Sequence, residues 1–226
     1  MGYTFHFGDV FAYWPLLLQG SINTLLYSAF GMLAGLAIGI LGAVWRNSQY
    51  FPLRWIAASY VELVRNTPML VQLFVFFFAL PSVGVRLSST TAALLALTFN
   101  NGAYMTEIVR SGIENVHRSQ REAALSLGLT RWHIFRHVVL FQALEKIYPA
   151  MIGQFTLLML SSSLISSIGA DDLTAFGSRI QSENFRAFEV YIACGAIYLG
   201  LTFLLQYVAM VSARFMFPRR RALAIR

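Results

Sequence analysis

"REAALSLGLTRWHIFRHV", Arg121–Val138, sets small residues at Ala123 and Ala124, a glycine at a turn, Gly128, and apolar Ile134 and Val138 on a second helical repeat. Two short helices about a glycine turn outline a DNA-binding helix-turn-helix. They equally outline a membrane-surface element, because Trp132, Ile134, Phe135 and Val138 can line one face beside Arg131 and Arg136. What flanks the stretch separates the readings.

The flanks are those of a membrane protein. Of 226 residues 57% are hydrophobic and 12% charged, with mean hydropathy +0.61; soluble domains carry about 25% charged residues. Five runs approach the roughly 20 apolar residues that a helix needs to cross a bilayer: about 21–45, 57–80, 89–111, 147–168 and 190–213. The first holds Gly31, Gly35, Gly39 and Gly42, a spacing that permits close helix contact. The third carries the polar insert "FNNGAY" near its centre, and the fifth leads into the basic tail "FPRRRALAIR". No lysine or arginine precedes Arg46, so the first run is expected to be retained and not cleaved as a signal peptide. The single cysteine, Cys194, lies in an apolar run and reads as a packing residue.

Five crossings put the loop after the first run, the segment 112–146 and the C-terminal tail on one side. Of the 17 lysines and arginines, only Arg86, Arg179 and Arg186 fall on the other. The positive-inside rule then places the N-terminus in the periplasm and the C-terminus in the cytoplasm. Arg121–Val138 becomes part of a cytoplasmic loop tethered at both ends, too short a tether to reach a major groove and without a dimer element to set half-site spacing. The net charge of +7 follows from residues flanking the spans, and no nucleic-acid partner is expected. Small residues around a glycine turn suit a compact helix pair that docks into a partner.

At this point "REAALSLGLTRWHIFRHVVLFQAL" resembles the cytoplasmic EAA loop of ABC importer permeases, in particular the polar amino acid uptake family. "VELVRNTPMLVQLF" from Val61, "NNGAYMTEIVRSGI" from Asn100 and "LISSIGADDLTAFG" from Leu164 resemble the same family, and the likeness extends from about residue 20 to 217. It implies an all-α type I importer transmembrane fold: one permease domain over 1–226, a multi-pass protein of the bacterial inner membrane. It also implies ATPase contacts at Glu122, Ala123, Ala124, Gly128, Ile134 and Leu140. Implied partners are two ATPase copies, a second permease subunit, identical or homologous, a periplasmic binding protein and membrane lipid, with polar amino acids or related compounds such as opines as cargo. Two places depart from the family's pattern. Leu140-Phe141 stands where Leu-Pro is usual, so the bend expected after the coupling helices lacks that proline. Leu160-Ser161-Ser162-Ser163 stands where Lys-Asp-Thr-Ser is common, which leans toward a heteromeric partner that keeps the charges.

The chain has no "GxxxxGK[ST]" loop, its one lysine being Lys146 after Glu145, so ATP and Mg belong to a separate ATPase subunit and no cofactor is expected on this chain. Polar residues at membrane depth are the candidate substrate pathway: Asn100, Asn101, Tyr104, Glu107, Thr67, Ser161, Ser162 and Ser163. Asn100 and Asn101 offer donors and acceptors without net charge, though interhelical hydrogen bonding is open to them as well. Pro68 in the "NTP" step is expected to perturb the second span, and irregular backbone at that depth lines a cavity or is buried by protein. Glu62 with Arg65, and Glu107 with Arg110, sit three apart and read as self-neutralising pairs. His133 and His137 read as loop surface and the serine run as helix-bonded hydroxyls. Asp171 and Asp172 read either as contacts for a docked binding protein or as a solvated loop. The competing class is an autonomous channel or proton-coupled carrier, which calls for intramembrane acids, here only Glu62 and Glu107.

Overall fold

The computed structural model describes residues 4–217, and the described residues form helices and turns without strands. A short α1 (Gly8–Phe11) precedes α2 (Trp14–Arg46). Next come α3 (Phe51–Arg65) and α4 (Met69–Phe74), the latter continuing through a π turn (Val75–Ala79) and a 3-10 turn (Leu80–Val83). After α5 (Ser89–Glu114), the short α6 (Arg118–Ser126) and α7 (Arg131–Ile134) lead through a second π turn (Phe135–Val139) into α8 (Leu140–Ser161). A 3-10 turn (Ser162–Ile168), α9 (Leu173–Asn184) and α10 (Ala187–Met216) complete the chain.

Among the described residues three stretches are long and apolar enough to cross a membrane: Trp14–Arg46, Arg131–Ile168 and Ala187–Met216. They extend the first, fourth and fifth expected spans. Pro15 starts α2 seven residues early, because a first-turn proline needs no donor and has a helical φ. The expected second span is not one helix: Phe51–Arg65 and Met69–Val83 meet at 108°, making a fourth crossing only if the bent pair counts as one. Pro68 cannot donate to Val64 and holds extended backbone at ψ 141°, which is the physical cause of the break. The expected third span is the unbroken α5, whose hydropathy is lowered by its polar residues; α5 is not among the three. No break marks the place after the coupling helices where the bend is expected: with Phe141 in place of proline the backbone donor remains, and α7 runs through the π turn into α8 without a non-helical residue. Arg219, Arg220, Arg221 and Arg226, counted toward the basic tail, lie outside the described residues.

The least apolar long helix is the most enclosed. α5 buries Ala92, Ala93, Ala96, Leu97, Asn100, Asn101, Ala103, Met105 and Thr106 against its neighbours. Along α2 the glycines at 31, 35, 39 and 42 are all buried and meet Leu97, Asn101, Met105 and Thr106 of α5 in turn. Closeness of this kind replaces the hydrophobic effect as the attraction between helices in lipid. Leu158 and Ile165 complete this core from the α8 side, beneath Leu73 of α4. A second core joins Val10 and Leu17 to Leu173, Ile180, Val190 and Cys194, the cysteine packing as expected.

Asp172 ties α9 into this frame. Its buried carboxylate caps α9, Oδ1 accepting from the Ala175 N–H at 2.9 Å while Oδ2 accepts from the Tyr198 hydroxyl at 3.0 Å. It is thus no docking contact, whereas Asp171 is half-buried and pairs with Arg179. Burial pushes the Asp172 carboxyl above the ordinary aspartate range, against the opposing pull of these hydrogen bonds. The folded chain therefore holds that proton at a pH where the unfolded chain has lost it. Stability falls as pH rises from the ordinary aspartate value to the raised one, then levels. Asp172→Ala is expected to cost about 2 kcal/mol through the lost cap and the orphaned hydroxyl. Asp172→Asn keeps the cap, should cost less than about 1 kcal/mol, and should flatten that pH slope in thermal unfolding.

Candidate functional site

The helix break opens a cavity of about 440 Å³ between the α3–α4 corner, α5 and α8. Arg65, Asn66, Thr67, Pro68 and Met69 form the corner side, Asn100 and Tyr104 the α5 side, and Gln154, Leu157, Leu158 and Ser161 the α8 side. The volume falls in the roughly 300–1,000 Å³ range of small-molecule sites. One guanidinium, several amides and hydroxyls and no carboxylate line it, so it can hold an anionic or polar group without an opposing acid.

Gln72 ties the two sides of the corner together. Its two Nε2 hydrogens are shared among the Val64 carbonyl at 2.8 Å, the Thr67 carbonyl at 3.0 Å and the Thr67 hydroxyl at 2.9 Å, satisfying acceptors that the break exposes. Its Oε1 accepts from Asn100 Nδ2 at 3.1 Å. Thr67 in turn donates to the Leu63 carbonyl at 2.8 Å.

The expected pathway residues divide. Thr67, Asn100, Tyr104 and Ser161 line the cavity. Asn101 turns away and donates to the Gly31 carbonyl of α2 at 3.1 Å, an interhelical bond. Ser162 and Ser163 bond back to the carbonyls of Met159 and Leu160 and are not in the lining. Glu107 lies three residues beyond Tyr104, gripped by Arg110 through two hydrogen bonds of 3.2 and 2.7 Å and paired with Arg46 of α2 at 3.4 Å. Arg110 also reaches Glu114 at 2.7 Å. The expected Glu62–Arg65 pairing gives way to another arrangement: the Arg65 guanidinium lies 5.5 Å above the Tyr104 ring and Glu62 accepts from Asn66. The ring face attracts the cation and holds it at the cavity wall.

Arg65, Gln72 and Gln154 were not among the expected site residues. The two glutamines had a legible signal, each a lone amide inside an apolar run, "MLVQLF" and "GQFTLL". Arg65 had none, because an acid three residues away offers a simpler partner.

The second candidate region is the α6–α7 loop. Glu122 and Ala123 are exposed, Glu122 paired with Arg118 at 2.7 Å, while Ala124 and Ile134 are buried inside the loop. Gly128 makes the turn at φ +75°, a left-handed conformation that suits glycine. Leu125, Leu127, Leu129 and Trp132 are exposed around it, Leu127 by 80%, and Leu140 is exposed further on. Apolar side chains clustered on a polar loop mark a contact surface. Arg121 donates to the Ile113 carbonyl and Lys146 to the Asn115 carbonyl at 2.6 Å, fastening the loop to the end of α5. His133 and His137 stack on each other on its surface.

Comparison with known proteins places the whole chain. Residues 14–221 match the family described as binding-protein-dependent transport system inner membrane component. The glutamine transport system permease protein GlnP of Escherichia coli (strain K12) is 36% identical over 196 residues, 86% of this chain and 90% of the relative. The probable glutamine ABC transporter permease protein GlnM of Bacillus subtilis (strain 168) is 35% identical over 193 residues, 85% and 89% of the two chains. A chain in the crystal structure of an amino acid ABC transporter with histidines superimposes with TM-score 0.89 at 36% identity, over 94% of this chain and 99% of that one. A chain of the inward-facing MetNI methionine ABC transporter gives TM-score 0.71 at 23% identity, over 91% and 98%, a likeness of fold alone.

Proposed function

Because the chain belongs to the family of binding-protein-dependent transport system inner membrane components, we propose that its helix-break cavity is the passage for a polar amino acid in an ATP-driven importer. As a permease subunit of such an importer, the chain translocates and a separate ATPase subunit hydrolyses ATP. Glutamine is the first cargo to test, since the relatives named above are glutamine permeases. In this reading the α6–α7 loop faces the cytoplasm and docks on an ATPase, two copies of which serve two permease subunits. The N-terminus faces the periplasm, where a binding protein delivers the cargo.

One observation carries the mechanism. Arg131–Ile168 is a single uninterrupted helical stretch of 38 residues, with the loop's docking end at one terminus and the cavity wall at Gln154–Ser161 in its second half. At 1.5 Å per residue, Ile134 and Gln154 are separated by about 30 Å of rod. The stretch holds a π turn (Phe135–Val139) and Pro149 but no non-helical residue, so a displacement of the loop reaches the cavity wall through continuous helical backbone. Closure of the ATPase then moves α8 against the α3–α4 corner and α5, and the cavity opens alternately to the two sides. Arg65 supplies a cation for a carboxylate, and Asn100, Gln154 and Ser161 supply uncharged polar contacts.

Uptake of radiolabelled L-glutamine into proteoliposomes that hold the chain with its ATPase, second permease subunit and binding protein tests this. Asn100→Ala is expected to lower uptake about tenfold, the equivalent of one hydrogen bond to a charged group, about 1.5 kcal/mol, with ATPase association unchanged. Uptake that survives both Asn100→Ala and Arg65→Ala overturns the cavity as the pathway.

A further inference from the structure

We propose that Gln72, which does not line the cavity, is a positioning residue that fixes which end of the Asn100 amide faces the cargo. The deduction needs only donor and acceptor chemistry. The carbonyls of Val64 and Thr67 can only accept, so the Gln72 nitrogen must face them, and it does so at 2.8 and 3.0 Å. Its oxygen is thereby turned toward Asn100, and an oxygen there requires a donor, so the Asn100 nitrogen takes that side at 3.1 Å. The Asn100 carbonyl oxygen is what remains for the cavity that Asn100 lines. Neither amide can reverse while the corner is broken, because reversal would set oxygen against oxygen.

The relay begins at the helix break and ends at the cavity wall. Pro68 removes the helical donor, the freed carbonyls select the orientation of Gln72, and Gln72 selects that of Asn100. A cavity with the Arg65 guanidinium on one wall and a fixed carbonyl acceptor on another suits a zwitterion, carboxylate toward Arg65 and ammonium toward Asn100. Rotation of Asn100 would replace that acceptor by a donor, which repels an ammonium. This inference rests on the pathway reading given above.

The test is a double-mutant cycle on L-glutamine uptake in the assembled transporter, with Gln72→Met, Asn100→Ala and the double variant. A residue acting through Asn100 loses its effect once Asn100 is gone. Gln72→Met is expected to lower uptake about tenfold in the wild-type background and less than about twofold in the Asn100→Ala background. Equal losses in both backgrounds mean that Gln72 only braces the corner, and overturn the inference while leaving the pathway reading standing. Unchanged uptake for Asn100→Ala overturns the inference, and the pathway reading falls with it when Arg65→Ala leaves uptake unchanged as well.

A second comparison holds if Gln72→Met fails to assemble. Asn100→Asp places an oxygen against Gln72 Oε1, and Gln72 cannot turn to meet it. Asn100→Asp is therefore expected to fall about fivefold or more below Asn100→Ala, and equal uptake by the two overturns the relay.

Discussion

Gly128→Trp is expected to abolish capture of the ATPase by the solubilised chain while leaving the helical domain folded. The turn at Gly128 has φ +75°, and no atom lies within 4 Å of where a side chain would begin. An indole placed there meets solvent and, in the assembled transporter, the partner. It would stand among Leu125, Leu127, Leu129 and Trp132, apolar side chains that are exposed among the described residues. Misfit at the centre of a contact commonly costs about 3 kcal/mol or more, which is over a hundredfold in affinity. The left-handed backbone adds about 1–2 kcal/mol of strain for any residue with a Cβ, so the contrast that matters is with Gly128→Asn. Asparagine tolerates that conformation and is small; it should retain the ATPase within a few-fold. Capture measured side by side on immobilised chains separates the outcomes. Loss by tryptophan alone identifies the turn as the contact, loss by both implicates the backbone, and retention by both removes the loop from the interface.

The sequence made the loop legible because its signal is local: small residues, a glycine and an amphipathic turn fall within eighteen consecutive positions. It made the long helices legible for the same reason, and the structure lengthens them where Pro15 and Phe141 allow helix to continue. The α3–α4 corner was half legible. Pro68 announces a disturbance, but its size depends on whether the freed carbonyls find donors elsewhere. Here Gln72, four positions on, supplies them to Val64 and Thr67, while Thr67 itself supplies one to Leu63, which lets a 108° bend persist. Asn100 and Asn101 show where local reading ends. They are adjacent, identical and both buried, yet about 100° of helical rotation turns one to the cavity and the other to α2. Only the placement of α2 and α4 around α5 distinguishes them. Arg65 is a like case: the acid that seemed to explain it is bound to Asn66, and the ring that holds it belongs to another helix.

The same substitution should have opposite effects at two glycines. Gly39→Ala in α2 is expected to lower stability by about 3 kcal/mol, the upper part of the overpacking range. Gly195→Ala in α10 should be neutral or raise it by less than about 1 kcal/mol, since alanine is the better helix former. At Gly39 a Cβ would stand 2.8 Å from the Met105 carbonyl carbon and 3.0 Å from the Thr106 amide nitrogen, closer still to Met105 Cβ. Two of those three atoms are backbone, so no rotamer relieves the clash and the helices must separate. At Gly195 nothing lies within 4 Å. Thermal unfolding of the two variants in one detergent compares them directly, and equal shifts would show that the α2–α5 seam yields easily. Function should follow stability at only one of the two sites. One turn from Gly39, Gly35 packs on the Asn101 side chain, and Asn101 holds α5 to α2 through the Gly31 carbonyl. Parting that seam displaces α5 and carries Asn100 and Tyr104 away from Gln72 and Arg65, so Gly39→Ala should depress uptake beyond what the loss of folded protein explains. Gly195→Ala touches neither the cavity nor the rod that leads to it, and uptake per folded transporter should be unchanged.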